Sequence, residues 1–203
     1  MILFELQYFP PLTFVSTLYK ESYVYLDIYE PYRKMSFRNR CLIAGAEGII
    51  SLSVPLKDGR NQLLPVHEVR ISDTETWQAR HFKSICSAYN RSPFFEHYAD
   101  ELEMLYQQRV IRLAEWNLIC LEWLHKKLNW PAEIRFTETA VPFGSAEWQD
   151  RRNQVVPKNY DQWSPVKYRQ VFEERAGFFP NLSVLDILFN AGKYAGDLLA
   201  EVI

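Results

Sequence analysis

The start of the chain alternates between short apolar stretches and polar breaks, and this pattern predicts a strand, a helix and a second strand. Residues 2–7 are short and apolar, and Pro10 and Pro11 stop them, as expected of a buried strand that opens into a loop. Residues 11–20 carry apolar side chains on one helical face, at Leu12, Val15 and Leu18 or Tyr19. Residues 22–29 are β-branched and aromatic. Such a unit favours a parallel strand pair with a right-handed crossover.

The next segment predicts a β-hairpin, because residues 37–43 and 49–56 flank a connection with glycines on both sides of its tip. Residues 66–71 are a candidate for one more strand. Ser72 and Glu75 have the spacing of a capping box, which predicts a helix running to about Asn90. The predicted secondary structure therefore changes here from strands to helices.

The second half of the chain predicts long helices followed by a late strand. Neither Gly nor Pro interrupts residues 94–130, which predicts one long bent helix or two helices that break near Gln107 and Gln108. Residues 134–137 are a candidate strand, and residues 140–167 are predicted as a long loop of the kind that often carries function. A last helix is predicted from Asn181 or Ser183 to Gly192.

Together these elements predict an α/β fold, with a mixed β-sheet, an N-terminal strand-helix-strand unit, a β-hairpin and long packing helices. An α+β arrangement is the alternative. The length of 203 residues predicts a single domain over residues 1–203. With 48% apolar residues, the chain contains enough apolar material to bury a core.

Charge and cysteine content narrow the functional classes. The formal net charge is -2, which argues against a nucleic-acid-binding protein. Three widely spaced cysteines fit neither a disulfide framework nor a zinc site, and the four histidines contain no spaced metal pair. We expect a protein of the cytosol without a metal centre, a secretory leader or a membrane span. The sequence names no cofactor and no oligomeric state.

The densest positive charge lies at Lys34, Arg38 and Arg40, with Asn39 between the two arginines. If residues 37–43 form a strand, its period of two places Arg38 and Arg40 on the same face, with their stems about 7 Å apart. This pair predicts an anion site for a phosphorylated or carboxylated small molecule. The alternative is an ordinary strand face on which the arginines pair with Glu30 or other acids.

Acid–base chemistry has two candidate residues. His81 follows Trp77 on the predicted helix and could serve as an acid or base, although a buried histidine satisfied by a neighbour is the alternative. Asp186 and Asn190 share a face of the last helix and could present polar groups to a ligand, together with Asn181 and Ser183. Capping explains Asn181, Ser183 and Asn190 equally well, but it leaves Asp186 unexplained.

Several motifs in chain order resemble the WbqC-like family of bacterial proteins. The most specific elements are Arg38-Asn39-Arg40 and Asn181-Leu182-Ser183 followed by Asp186. The resemblance also includes these shorter motifs: Tyr8-Phe9-Pro10-Pro11, Leu52-x-Val54-Pro55, Ile71-Ser72-Asp73, Pro93-Phe94-Phe95-Glu96 and Gln170-Val171-Phe172. The chain differs from the family at its start, where Gln7-Tyr8 replaces the usual Gln-Pro pair.

The resemblance implies a role in bacterial surface polysaccharides, such as O-antigen, and one implied activity is transfer of glycine or another acyl group to an activated sugar. His81 or Asp186 would then be the catalytic base. Lys34, Arg38, Asn39, Arg40, Asn181, Ser183 and Asn190 would bind the anionic ligand, for example a sugar nucleotide. A non-catalytic sugar-nucleotide-binding or scaffold protein of a polysaccharide assembly complex is the second hypothesis.

Overall fold

A four-stranded parallel sheet organises the computed structural model, which describes residues 1–73 and 76–201. Its strands are β1 (Ile2–Glu5), β2 (Tyr23–Asp27), β5 (Glu133–Phe136) and β6 (Gln149–Asp150), in the spatial order β5-β2-β1-β6. Every neighbouring pair is parallel. The predicted strands at residues 2–7, 22–29 and 134–137 are therefore confirmed, with shorter limits at the first two.

The helix α1 (Leu12–Leu18) connects β1 to β2, as the strand-helix-strand prediction requires. Leu12, Val15 and Leu18 are fully buried, which confirms the predicted apolar face. Pro11 precedes the helix in an extended conformation, where its missing N–H removes no helical hydrogen bond. Because the helix is only 7 residues long, its axis measures about 10 Å.

The strand β6 lies inside residues 140–167, which the sequence predicts to be a loop. Gln149 N donates to Met1 O at 2.8 Å and Arg151 N donates to Leu3 O at 2.8 Å, so this short segment is held as a strand by β1. In chain order, β2 pairs with β1 and β5 pairs with β2, and β6 is then added on the opposite side of β1. The topological switch point of the sheet therefore lies between β1 and β6.

The predicted hairpin is present as a separate two-stranded sheet of β3 (Arg40–Gly45) and β4 (Gly48–Ser53). The prediction that β3 begins at residue 37 is wrong, because Arg38 lies in a turn before the strand. Glu30 holds the guanidinium of Arg38 in the interior, and Tyr8 N donates to Phe37 O at 2.9 Å. Pairing with β4 starts only at Arg40, which faces Ser53.

The predicted strand over residues 66–71 is also wrong. Val66–Glu68 form a short 3-10 helix after Pro65, and Val66 N and His67 N donate to the segment that follows β2. Arg70 and Ile71 make only isolated bridges, with Arg112 and Leu56 respectively. The fixed φ of Pro65 favours a turn over a continuous strand at this point.

Three long helices follow, namely α2 (Trp77–Tyr89), α3 (Glu96–Tyr106) and α4 (Leu113–Leu128). The helix α2 begins after Thr76, later than the Ser72 cap predicts, and Glu75 of the predicted capping box lies outside the described residues. The span of residues 94–130 breaks between α3 and α4, which confirms the two-helix alternative. Asn129, with φ 49, ends α4 in the left-handed conformation.

The C-terminal part comprises α5 (Glu173–Ala176), α6 (Val184–Ala191) and α7 (Ala195–Ala200). Ser183 caps α6 by accepting a hydrogen bond from Leu185 N, and Gly192 ends this helix with φ 55. These predicted ends are confirmed, although a further helix, α7, follows the one predicted as last. Ser183 N also donates to Leu42 O at 2.8 Å, which docks α6 on β3.

The chain therefore has an α/β architecture, with a parallel sheet and a small antiparallel hairpin. Its core is built around side chains that are fully buried between the sheet and the helices, including Leu3, Leu26, Trp116 and Leu188. Within residues 1–73 and 76–201, no helix has the length and apolar character needed to cross a membrane. That residues 1–203 form a single domain stays a prediction.

Candidate functional site

Charged side chains collect where the parallel strands end. Glu5 is the last residue of β1, Asp27 of β2 and Asp150 of β6. Because the strands are parallel, their carboxyl ends meet at one edge of the sheet, which is where α/β proteins commonly bind ligands. We call this side the carboxyl edge.

Asp27 is the most highly connected group at the carboxyl edge, and its carboxylate is fully buried. Its Oδ2 accepts from Arg152 Nη1 at 2.7 Å, and Asp150 accepts from the same guanidinium at 2.6 Å. The other donors to Asp27 are Tyr29 N, Glu30 N, Thr137 Oγ1 and Val141 N. One carboxylate thus ties together the segments that follow β2, β5 and β6.

A second buried chain of contacts begins at Glu30 and Arg38. Arg38 Nε and Nη2 donate to Glu30 Oε1 at 3.0 and 2.5 Å, and Arg38 Nη1 donates to Asn153 Oδ1 at 2.9 Å. Glu5 accepts from Asn153 N at 2.9 Å and from Gln7 Nε2 at 2.9 Å. Burial raises the pKa of Glu30 to about 7, while Arg38 opposes this rise. These contacts fix Gln7 and the segment after β6.

A cavity of about 460 Å³ opens at the topological switch point, beside α1. Its size is within the range of small-molecule sites. We call it the switch-point cavity and define it by its lining residues, which are Phe4, Gln7, Thr13, Phe14, Ser16, Thr17, Lys20, Glu21, Gln149, Arg151, Gln154, Val155, Trp163 and Ser164. It contains both cationic and neutral polar groups, with aromatic rings among them.

Several polar groups of the switch-point cavity have no protein partner. In residues 1–73 and 76–201, Gln7 Oε1 and Thr13 Oγ1 are buried without a hydrogen bond, and Gln7 is only 4% exposed. The side chains of Lys20 and Arg151 form no ion pair in the same part of the chain. Uncommitted buried polar atoms are uncommon in native proteins, so Gln7 and Thr13 mark this cavity as a candidate ligand site.

Arg38 and Arg40 do not lie side by side on one strand face, as the sequence-based prediction of an anion site requires. Arg38 is fully buried and paired with Glu30, as the alternative interpretation expects. Arg40 is half-buried, and its Nε donates to Ser53 Oγ at 3.2 Å. The two side chains differ because only Arg40 belongs to β3, so the period-two argument does not apply to Arg38.

The two other predicted residues of this segment have local partners. Lys34 is exposed, and its Nζ donates to Asn61 Oδ1 at 2.9 Å. Asn39 accepts from the hydroxyl of Tyr32 and donates to Val54 O, both at 2.9 Å. The amide of Asn39 therefore joins the turn before β3 to the end of the hairpin.

Asp186 is fully buried and already satisfied. Its carboxylate accepts from Tyr89 Oη at 2.7 Å, Tyr168 Oη at 2.6 Å and Gln170 Nε2 at 3.0 Å. Burial raises the pKa of Asp186, and these three hydrogen bonds limit the rise. Asp186 and Arg38 have no hydrogen-bonding partner in common within the described residues. The carboxylate of Asp186 and the guanidinium of Arg38 are therefore each engaged by other groups of the protein.

The polar neighbours of Asp186 make backbone contacts. Asn190 Nδ2 donates to Asp186 O at 2.8 Å, and Ser183 Oγ donates to Phe9 O at 2.9 Å. Asn181 adopts a positive φ of 50, and its amide donates to Tyr160 O and Trp163 O. Asn181 thus holds the segment that brings Trp163 to the rim of the switch-point cavity.

His81 lies in a buried aromatic cluster. Its Nδ1 is 3.0 Å from the Tyr8 hydroxyl, which is 2.5 Å from the hydroxyl of Tyr106. Burial lowers the pKa of His81 to about 4, so the imidazole is neutral near pH 7. With 2% exposure, His81 agrees with the interpretation of a buried histidine that a neighbour satisfies.

None of the described lining residues of the switch-point cavity belongs to the sequence-based set of site residues, including the charged and polar Gln7, Lys20, Glu21 and Arg151. They come from chain segments that lie far apart in sequence, and no spacing motif connects them. The sequence indicates only one of them, and only by region: Arg151 lies in the predicted loop of residues 140–167, whose length is typical of functional loops.

The parallel sheet, with a buried charge network at its carboxyl edge and a polar cavity at its switch point, defines an α/β protein. The chain belongs to the WbqC-like protein family, whose model matches residues 7–157. That range contains Gln7, Lys20, Glu21 and Arg151. No curated protein matches the chain. No solved structure matches it either.

Proposed function

We propose that this protein binds an activated, phosphorylated sugar in the switch-point cavity and transfers an acyl or glycyl group to it. The observation that carries the proposal is the combination of two cations, Lys20 and Arg151, with the uncommitted Gln7 Oε1 in one cavity of about 460 Å³. Together with family membership, this supports a role in bacterial surface-polysaccharide synthesis in the cytosol.

The lining of the cavity suits both halves of such a ligand. Arg151 and Lys20 offer charge-assisted hydrogen bonds to phosphate oxygens. Rotation of either side chain would turn Gln7 Oε1 or Thr13 Oγ1, both buried without a hydrogen bond, towards sugar hydroxyl groups, from which they can accept hydrogen bonds. Trp163 is 39% exposed at the rim and offers an apolar ring face.

Glu21 is the general base in this proposal. In acyl transfer, an acceptor hydroxyl or amine attacks the acyl carbon of an activated ester or thioester donor. The new bond from oxygen or nitrogen to that carbon forms, the bond to the leaving group breaks, and the acceptor proton must go to a base. Among the described residues, Glu21 is the one carboxylate in the lining of the switch-point cavity. We do not assign this role to His81 or Asp186, because both are buried and hydrogen-bonded within the protein.

The second candidate function is binding of the same ligand without catalysis, as part of a polysaccharide assembly complex. The hydrogen bonds of His81 and Asp186 to other buried side chains favour this second function, because these two residues contribute no reactive group to the cavity. The two functions differ in Glu21, which is essential only for turnover.

Replacing Arg151 with glutamine should weaken the binding of nucleotide sugars by about 10- to 100-fold. The substitution removes a charge-assisted hydrogen bond, a loss of about 1.5–3 kcal/mol. Thermal stabilisation against a panel of nucleotide sugars measures this effect, because a ligand that binds the folded state raises Tm. Arg175→Gln is the matched control, since Arg175 is exposed and pairs with Glu47 outside this cavity. Equal stabilisation of wild type and Arg151→Gln would contradict the proposed site.

Replacing Glu21 with glutamine should lower kcat by about 10²- to 10⁴-fold, because it removes the proton acceptor while preserving shape. Binding of the sugar ligand should change by less than about threefold, since the neutral amide still fits. Mass spectrometry of the sugar product, with activated acyl donors, gives the rate. Full turnover by Glu21→Gln would refute the assignment of the base. Ligand binding by the wild type with no product from any donor would favour the second function.

A further inference from the structure

A second cavity, of about 420 Å³, has no described lining residue in common with the switch-point cavity. Among the described residues, its charged lining consists of three cations, Lys57, Arg70 and Arg109, and one carboxylate, Asp73. The rest of that lining is mostly apolar, with Ile71, Trp77, Val110 and Ile111. A positive excess is unexpected here, because the whole chain has a net charge of -2.

Backbone hydrogen bonds join the three segments that carry these cations. Lys57 N donates to Arg70 O at 2.9 Å, and Ile71 N donates to Ile111 O at 2.8 Å. Leu113 N donates to Val69 O at 2.9 Å, so the segment around Arg70 lies between the other two segments. The fold therefore brings the backbone positions of the three cations together, while their exposed side chains extend from these positions.

The three side chains lack compensating partners. In residues 1–73 and 76–201, Lys57, Arg70 and Arg109 form no side-chain hydrogen bond and no ion pair. Arg70 also lines a neighbouring cavity, together with Arg112, Glu68 and Glu115. Within the described residues, neither glutamate forms an ion pair with an arginine. The three cations are therefore free to form hydrogen bonds with a bound anion.

We propose that the second cavity binds a ligand that carries a diphosphate group. Two guanidinium groups can each grip phosphate oxygens in a forked arrangement, and the ammonium of Lys57 adds a point charge. Three cations against one carboxylate in the described lining match the multiple charges of a diphosphate better than those of a single carboxylate. This site is separate from the proposed transferase site and does not depend on it.

Inorganic pyrophosphate is the probe, and isothermal titration calorimetry measures its affinity. The titration uses the full chain with Arg151→Gln, so that the switch-point cavity contributes little to the signal. In this background we expect saturable binding with one site per chain. Adding Arg70→Gln and Arg109→Gln should weaken it at least tenfold, whereas adding the control Arg175→Gln should change it less than twofold. Circular dichroism and Tm without ligand confirm that each variant is folded.

Two results would overturn the proposal. One is the absence of saturable pyrophosphate binding by the Arg151→Gln protein. The other is an equal loss of affinity in the Arg175→Gln control, which would indicate general attraction to surface charge. If the double variant does not fold, Lys57→Gln replaces it, because Lys57 is exposed and is expected to tolerate the change. That single variant should weaken binding at least threefold, and an unchanged affinity would also refute the site.

Discussion

Replacing Asp27 with alanine should lower the free energy of unfolding by about 3–5 kcal/mol, because it removes one partner of a buried ion pair. Arg152, with 1% side-chain exposure, would retain only Asp150 as a counter-charge. The backbone N–H groups of Tyr29, Glu30 and Val141 would also lose their acceptor. Urea unfolding at pH 7 measures the change, with the slope of the transition as a check on two-state behaviour.

Two variants separate the causes of this loss. Asp27→Asn keeps an oxygen that can accept from the backbone but removes the charge, so its cost should lie below that of Asp27→Ala. Glu174→Ala breaks an ion pair with Arg169 whose side chains are 83% and 85% exposed, and it should leave stability nearly unchanged. A loss below about 1 kcal/mol in Asp27→Ala would refute the view that this carboxylate anchors the carboxyl edge.

The strands and helices were predictable where local pattern and tertiary packing agree. The apolar run before Pro10 and the β-branched and aromatic segment after α1 form β1 and β2 because both are buried and paired. The strand β6 was not predictable, since Gln149 and Asp150 are polar and too few to show a period. Only their hydrogen bonds to the backbone of β1 make them a strand.

The predicted side-by-side arrangement of Arg38 and Arg40 is wrong because the start of β3 was placed three residues too early. Extending β3 back to residue 37 puts Arg38 and Arg40 on one face, but the buried Glu30 takes Arg38 into the interior. Eight positions separate Glu30 from Arg38, and no local period relates them. The Arg38–Glu30 ion pair is the alternative that the sequence leaves open. The structure contains this pair, with both side chains buried, in place of a strand face shared by Arg38 and Arg40.

The switch-point cavity was beyond local analysis for a different reason. Gln7, Lys20 and Arg151 meet there only because β6 returns to the side of β1 opposite β2. The strand order of the sheet thus determines which polar residues converge, and sequence patterns do not specify that order. The buried network of Asp27 and Arg152 holds the segment next to Arg151, so the fold and the proposed site depend on the same contacts.

Replacing His81 with glutamine should remove a pH-dependent part of the stability. Burial lowers the pKa of His81 from 6.5 to about 4, so the unfolded chain binds a proton in this range that the folded chain does not. The stabilisation from neutral His81 is therefore complete above pH 6.5 and is lost as the pH falls toward 4. Between pH 7 and 4.5 the loss is about 2–3 kcal/mol.

The measurement compares the free energy of unfolding of wild type and His81→Gln at several pH values between about 4.5 and 7. Glu30 acts in the opposite direction, because its raised pKa stabilises the fold at low pH, but it is present in both proteins and cancels in the difference. The gap between wild type and variant should therefore narrow as the pH falls. Tyr8→Phe is the control, since it removes the hydrogen bond to His81 but keeps the titrating group. A constant gap would mean that His81 takes up a proton as readily in the folded chain as in the unfolded one.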